Sequence, residues 1–570
     1  MSQIANHGGT ETRRLSIFSS LSVSLWRRRV LLWLVPLSFL AIAFFYPLSR
    51  ILALTFDPEA LPTENLLLAS RVLLFTFYQA TLSTLLTLLL GLPAAYLFAR
   101  YDFRGKALLR ALTAVPFMLP TVVVAAGFSA LLGPRGLISS LFPLSSFSFT
   151  GTLTAILIAH VFYNMTIIIR VVGNALSSLD PKLEQAARSL GADPFRVWWN
   201  VTLPLLYPSL FASSLLVFLL DFTSFGVILL LGGSQFATLE VEIYLRVLKL
   251  PNLPLAALLS VIQLVCTILF SVLYTHFVSR STIQSNPRSA ESNIRKPKTL
   301  RGKIFVTSSV FLLTSFFLLP LSSLPLRSLF RFEADRGQRG EVRYGFTTDY
   351  YTELFVNRRG SVFYVPPIRA TVNSLGYAGA TVLISLLLGF PAAFALARPT
   401  RLERILDPLI MLPLGSSAVM LGLGFIISFG AWLTSPFLVP FAHTLLALPF
   451  VIRTLQPAIA SIPQRLRQAA SSLGASPLEV WKNIDLPILR RATLAAATFA
   501  FTISLGEFGA ALLISRPEYP TIPVAIERFL SQPGGLNYGQ AMAMATILML
   551  LTITSILLIE KFRLPNSGEF

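Results

Sequence analysis

Apolar residues run along this chain in long unbroken stretches, separated by short polar segments. A helix needs about 20 apolar residues to cross the hydrocarbon core of a bilayer. Six stretches reach that length in the first half of the chain, roughly 30–53, 72–99, 107–132, 152–176, 208–231 and 253–279. Six more follow in the second half, roughly 304–330, 370–398, 404–430, 435–459, 493–515 and 539–562. The pattern predicts an all-α polytopic membrane protein of about twelve transmembrane helices.

The polar segments orient those helices. Arg100, Arg104, Lys106 and Arg110 fall between spans 2 and 3, and Lys182, Arg188 and Arg196 between spans 4 and 5. Arg398, Arg401 and Arg404, then Arg465, Arg467 and Lys482, repeat this in the second half. With twelve spans all of these lie on one side, which positive charge marks as cytoplasmic. The loop 54–71 on the other side carries Asp57, Glu59 and Glu64. Both termini are expected in the cytoplasm. The expected divisions are a cytoplasmic segment 1–29, a first half 30–279, a cytoplasmic linker 280–303, a second half 304–562 and a cytoplasmic tail 563–570. The linker is rich in Ser, Asn, Arg and Lys and reads as a flexible joint.

Composition agrees. Of 570 residues 54% are hydrophobic and only 13% charged, against about 25% charged in soluble proteins. The net charge of +20 does not point to nucleic acid, because the cations cluster between apolar spans. A single cysteine, Cys266, rules out a disulfide framework within the chain.

One stretch occurs twice. Gln185-Ala186-Ala187, three residues, Gly191, then Trp198 and Leu203-Pro204 recur as Gln468-Ala469-Ala470, Gly474, Trp481 and Leu486-Pro487. The copies are 283 residues apart with no gap, as 185 and 468 are. Each copy predicts a short helix, a Gly at positive φ, a second short helix and a Leu-Pro stop. His160 and His443, Phe225-Gly226 and Phe508-Gly509 share the same offset, and Pro93 and Pro391 correspond at 298. With six spans each, the halves are parallel repeats related by an axis along the membrane normal.

The doubled stretch resembles the cytoplasmic "EAA" loop of type I ABC-importer permeases, with Gln185 and Gln468 in place of the first Glu. That resemblance implies a fold of two six-helix halves of the MetI-like type and two coupling helices that dock on ATPase subunits. The coupling residues it implies are Gln185, Ala186, Gly191, Trp198 and Pro204, with Gln468, Ala469, Gly474, Trp481 and Pro487. Trp198 and Trp481 are expected to anchor the ATPase. The stretch from Phe222 to Tyr244 is similar to fused thiamine permeases, and fused ferric-iron permeases share much of it. The implied partners are two copies of an ABC ATPase, an extracytoplasmic solute-binding protein and the lipid bilayer of a bacterial cytoplasmic membrane. Thiamine is the first expectation for the cargo and ferric iron the second.

Candidate chemistry within the membrane is sparse. Asp221 and Glu507 lie in spans 5 and 11 beside Phe222, Phe225 and Phe508. An intramembrane carboxylate is costly and suggests function, and aromatic walls suit a cation. These five residues are the expected translocation path, against the alternative that the carboxylates cap or hydrogen-bond within the bundle. His160 and His443 have no second ligand one helical turn away, so no metal site is expected. Gly105-Lys106 and Gly302-Lys303 lack the Ser or Thr of a phosphate-binding loop. The chain is therefore expected not to be an enzyme and to bind no cofactor, with ATP and Mg on the partner ATPase. An ion-coupled secondary transporter is the rival reading, and it has no need of the doubled loop.

Overall fold

The computed structural model describes residues 32–141, 149–280, 294–332, 345–357, 365–433 and 435–562. The expected terminal segments 1–29 and 563–570 lie outside these residues, as does most of the linker. Eleven of the described helices are long and apolar enough to span a membrane. Two helix pairs qualify only when joined across a bend: Ile228–Phe236 with Leu239–Leu248, at 79°, and Arg401–Gly415 with Ala418–Trp432, at 96°. Counting Arg401–Trp432 as one span gives the expected twelve. The segment 228–248 corresponds in the second half to Gly509–Ile514 and Ile522–Leu530, of 6 and 9 residues. Those are too short to cross, so both segments dip into the bundle between crossing helices.

Two expected straight spans are broken. Span 107–132 is two helices, Lys106–Met118 and Thr121–Leu132, with extended backbone at Leu119. Pro120 supplies the reason: it pushes its predecessor out of the helical region. Span 404–430 breaks at Ser416 and Ser417, both extended, and the Ser417 hydroxyl accepts from Met420 N–H to start the next helix. Spans 5 and 11 also end early, at Phe222 and Gly506. Within each half, helix Thr63–Arg100 packs on Leu153–Ser178 and Ile368–Leu396 on Leu438–Ala460. Gly91 and Gly389 let these pairs close. A Cβ on Gly91 would sit 2.9 Å from Ile168, and one on Gly389 would sit 2.6 Å from Val451. Small residues at such contacts are how membrane helices gain van der Waals packing.

The halves are interlocked. Helix Leu32–Thr55 of the first half lies between its own Leu253–Arg280 and the second half, where a Cβ on Gly424 would stand 2.9 Å from Pro47. Helix Leu300–Leu329 of the second half lies on the first, and Ser323 donates to the Gly127 carbonyl at 2.9 Å. Each sequence half is thus completed by the other's leading helix. The described part of the linker is no free joint. Arg295 N–H donates to Arg100 C=O, Asp102 N–H to Arg295 C=O, and the Arg295 guanidinium to the Tyr96 hydroxyl. Beyond the end of helix Leu300–Leu329, Phe330–Arg331 pairs antiparallel with Gly345–Phe346. Leu74, Leu85 and Leu89 are among many exposed apolar side chains, as a lipid-facing surface requires.

Candidate functional site

The two repeated loops have one geometry. Helix Pro181–Ser189 ends at Gly191, φ 86°, and helix Gln464–Ser472 ends at Gly474, φ 86°. Ala192 N–H donates to Ala187 C=O and Gly191 N–H to Arg188 C=O; Ala475 and Gly474 do the same to Ala470 and Ser471. This crossed pair of bonds is a Schellman cap, which needs positive φ at the residue Gly occupies. Asp193 and Ser476 then cap the next turn, accepting from Arg196 and Glu479 N–H.

The expected stop at Pro204 and Pro487 is not found. A five-residue π turn, Trp198–Thr202 or Trp481–Asp485, carries the chain straight into the membrane helices Leu203–Phe222 and Leu486–Gly506. Leu203 N–H reaches back to Trp198 C=O, and Leu486 to Trp481. Each proline sits in the first turn of the α segment that follows. There its missing N–H costs little, and the wider turn relieves the ring clash that would end a regular helix. The second short helix of each loop and the membrane helix after it are therefore one continuous rod, Pro194–Phe222 or Pro477–Gly506, about 30 Å long beyond the π turn at the usual rise per residue.

Trp198 and Trp481 do not stand out as anchors. Trp481 packs between Phe390 and Phe394, both at 5.5 Å, and Trp198 lies 6.3 Å from Tyr96. The exposed apolar groups are others at matching places: Leu190 and Leu473, each 89% exposed, and Phe195 and Leu478, at 70% and 74%. Gln185, Ala186, Gln468 and Ala469 lie on the short helices, whose residues are all at least partly exposed. The internal ion pairs reverse between copies. In the first, Arg100 donates to Glu184, which also accepts from Thr202. In the second, Arg467 occupies the place of Glu184 and pairs with Asp485, which occupies the place of Thr202, at 2.7 Å. Arg398 and Arg467 line a shallow recess of about 410 Å³ with Gln464, Gln468, Ser471 and Ser472.

At the other end of the rods lie the intramembrane carboxylates. Asp221 Oδ1 accepts from Asn164 at 2.7 Å and lies 3.3 Å from His160 Nδ1. Gln79 donates to the Asp221 carbonyl at 2.9 Å. In the second half Glu507 Oε2 lies 3.2 Å from His443 Nε2, and its two oxygens accept from Ala510 and Ala511 N–H at 2.9 Å. Glu507 thus caps the short helix Gly509–Ile514. The symmetric histidines and the carboxylates, read separately in sequence, are two matching pairs. Each ties a rod's inner end to the neighbouring helix. Ser224 and Ser504 join them, which invites comparison with a hydrolytic triad. Their places differ, however: Ser224 bonds His160 Nε2 and Ser504 bonds His443 Nδ1. The shared feature is the tie, not a catalytic order.

The expected path residues divide. Phe225 and Phe508 meet across the seam between halves, stacked at 5.4 Å with 30° between planes. Phe222 is instead sealed inside the first half among Phe77, Phe218 and Phe270. Sequence reasoning passed over Glu240. It is buried at the seam, accepting from Gln263 at 2.6 Å and from Ser417 of the other half at 2.8 Å. Its signal was available: an acidic residue within a largely apolar re-entrant stretch.

Comparison with known proteins agrees with this architecture. Residues 87–283 and 385–562 match the family described as binding-protein-dependent transport system inner membrane component. The chain is 27% identical to the thiamine transport system permease protein ThiP of Brucella abortus over 509 residues, 88% of this chain and 89% of that one. The Haemophilus influenzae ThiP is 28% identical over 91% of this chain and 93% of its own. The Escherichia coli ThiP is 26% identical, over 86% and 88%. The two family matches fall on the two halves and include both repeated loops, both His–carboxylate pairs and the seam between them, and the chain belongs to the inner-membrane permease components of binding-protein-dependent ABC transport systems.

Proposed function

We propose that this permease carries thiamine, handed over by an extracytoplasmic binding protein, into the cytoplasm. Support for the cargo comes from thiamine permeases that are similar over most of both chains. The energy comes from two copies of a separate ATPase, which hold the ATP and Mg. One observation carries the docking: two loops of identical geometry present the same exposed apolar pair, Leu190 with Phe195 and Leu473 with Leu478. Solvated apolar groups on a rigid cap are typical of interface anchors. Gln185, Ala186, Gly191, Gln468, Ala469 and Gly474 shape those loops. The positive-inside pattern puts them, and both termini, in the cytoplasm.

The rods supply the mechanism. Closure of the ATPases on ATP moves both loops, and the π turns pass that motion to helices Leu203–Phe222 and Leu486–Gly506. These end at the seam beside Phe225, Glu507 and Phe508, so their displacement parts or closes it. The path runs there, with Asp221 behind it. The test is uptake of labelled thiamine by cells lacking their own uptake system and given this permease with its ATPase and binding protein. Uptake competed by excess thiamine and not by ferric iron is expected. Iron uptake without thiamine uptake would overturn the assignment.

A further inference from the structure

The seam holds a buried carboxyl group that joins the two halves. Glu240 is 1% exposed, and its two oxygens accept from Gln263 Nε2 and Ser417 Oγ. Both donors are neutral, and among the described residues no cationic side chain pairs with it. Tyr244, one turn along the same helix Leu239–Leu248, packs on Phe225 at 5.6 Å between ring centres. Gln263, also 1% exposed, leaves its Oε1 without a hydrogen-bond partner among the described residues. Burying an ionisable carboxyl group with only neutral partners is expensive, and a Gln at this position could keep hydrogen bonds to both neighbours without that cost. The carboxyl group has no counterpart at the matching position of the other half, where the residue 283 places on is Pro523.

The neighbours of Glu240 belong to opposite halves. Gln263 is in the first, Ser417 in the second, and the ring stack of Phe225 on Phe508 also joins the two. Gly226 brings the halves so close that a Cβ there would sit 3.2 Å from Phe508 Cδ1. A movement that parts the halves here would break the Ser417 bond and unstack the two phenyl rings together.

We propose that Glu240 is the specificity-determining carboxylate of the transport path, meeting an organic cation between the parted rings of Phe225 and Phe508. The inference deepens the thiamine reading and rests on it for the cargo, since thiamine carries a fixed positive charge that a carboxylate and ring faces would hold. Closing the seam returns Oε2 to Ser417 and expels the cation, so contact is transient.

Two measurements on the assembled transporter test it. In the first, Glu240→Gln lowers thiamine uptake about tenfold or more, the loss expected for one charge-assisted contact, and Glu240→Asp restores part of it. Co-purification of the ATPase and the amount of membrane-inserted protein report folding of each variant. The second needs no thiamine. In a Cys266→Ala background, Phe225→Cys is modified during turnover by a cationic and by a neutral methanethiosulfonate. The ratio of the two rates falls about threefold or more when Glu240→Gln is added, as loss of a nearby charge requires. An unchanged ratio, no modification during turnover, or uptake by a folded Glu240→Gln variant within twofold of the parent overturns the proposal. Parent protein that carries no thiamine while the thiol ratio still falls overturns the thiamine reading alone.

Discussion

Replacing Gly191 and Gly474 by Ala isolates the coupling loops from everything else in the protein. Both glycines sit at φ 86° and a Cβ on either meets nothing within 4 Å. The penalty is therefore backbone strain and not crowding, about 1–2 kcal/mol per site for an L-residue in the left-handed region. That energy reduces the population of the docked loop shape by roughly 5–30-fold. If both loops must dock, the two factors multiply. The membrane bundle should not feel it, since the helix Pro181–Ser189 buries no residue at all. Gly151 provides the control: its φ is 81° and its Cβ position is equally open, but it lies outside both loops. The assay is retention of the ATPase subunit during purification, alongside thermal unfolding of the permease alone. The double loop variant should lose the ATPase while its unfolding midpoint stays close to that of the parent, and Gly151→Ala should keep both. Full retention by the double variant, or equal loss in Gly151→Ala, would show that the shape of the two loops does not govern docking.

Three further outcomes follow from the same contacts. Leu190→Ser with Leu473→Ser should weaken ATPase binding by about 1–2 kcal/mol per loop, as removal of an exposed interface anchor does, with no change in permease stability; titration with purified ATPase measures it. Gly389→Leu should destabilise the second half by about 1–3 kcal/mol through overpacking against Val451, read as a lower unfolding midpoint. Glu507→Ala should cost about 1 kcal/mol for the lost cap, whereas Asp221→Asn with Glu507→Gln tests the path: uptake per folded transporter should fall further in the double variant than in either single one, and full uptake by the double variant would remove both residues from the path.

Much of this fold was legible because bilayer thickness imposes a length that apolar runs announce. Twelve spans and a loop repeated at one offset could be read directly. What was lost lay where the chain breaks its own pattern. The bends at Leu119 and Ser416–Ser417 occur inside apolar runs, so hydropathy sees no boundary. Pro204 looked like a stop because a regular helix cannot absorb it, while the π turn before it can. Trp198 and Trp481 looked like anchors by residue type, yet they pack on Tyr96 and on Phe390 and Phe394. The pairing of His160 with Asp221 and His443 with Glu507 joins different helices, and no local spacing encodes it. Glu240 went unnoticed because its importance depends on Ser417, in the other half of the chain.

We propose that ATP hydrolysis on docked partners drives this chain through its two loops. Purified permease, ATPase and binding protein in sealed vesicles test it with labelled thiamine and one component omitted at a time. Uptake should require all three proteins and hydrolysable ATP, and should stop in the Gly191→Ala, Gly474→Ala variant. Uptake by the permease alone, driven by an ion gradient and indifferent to ATP, would contradict it.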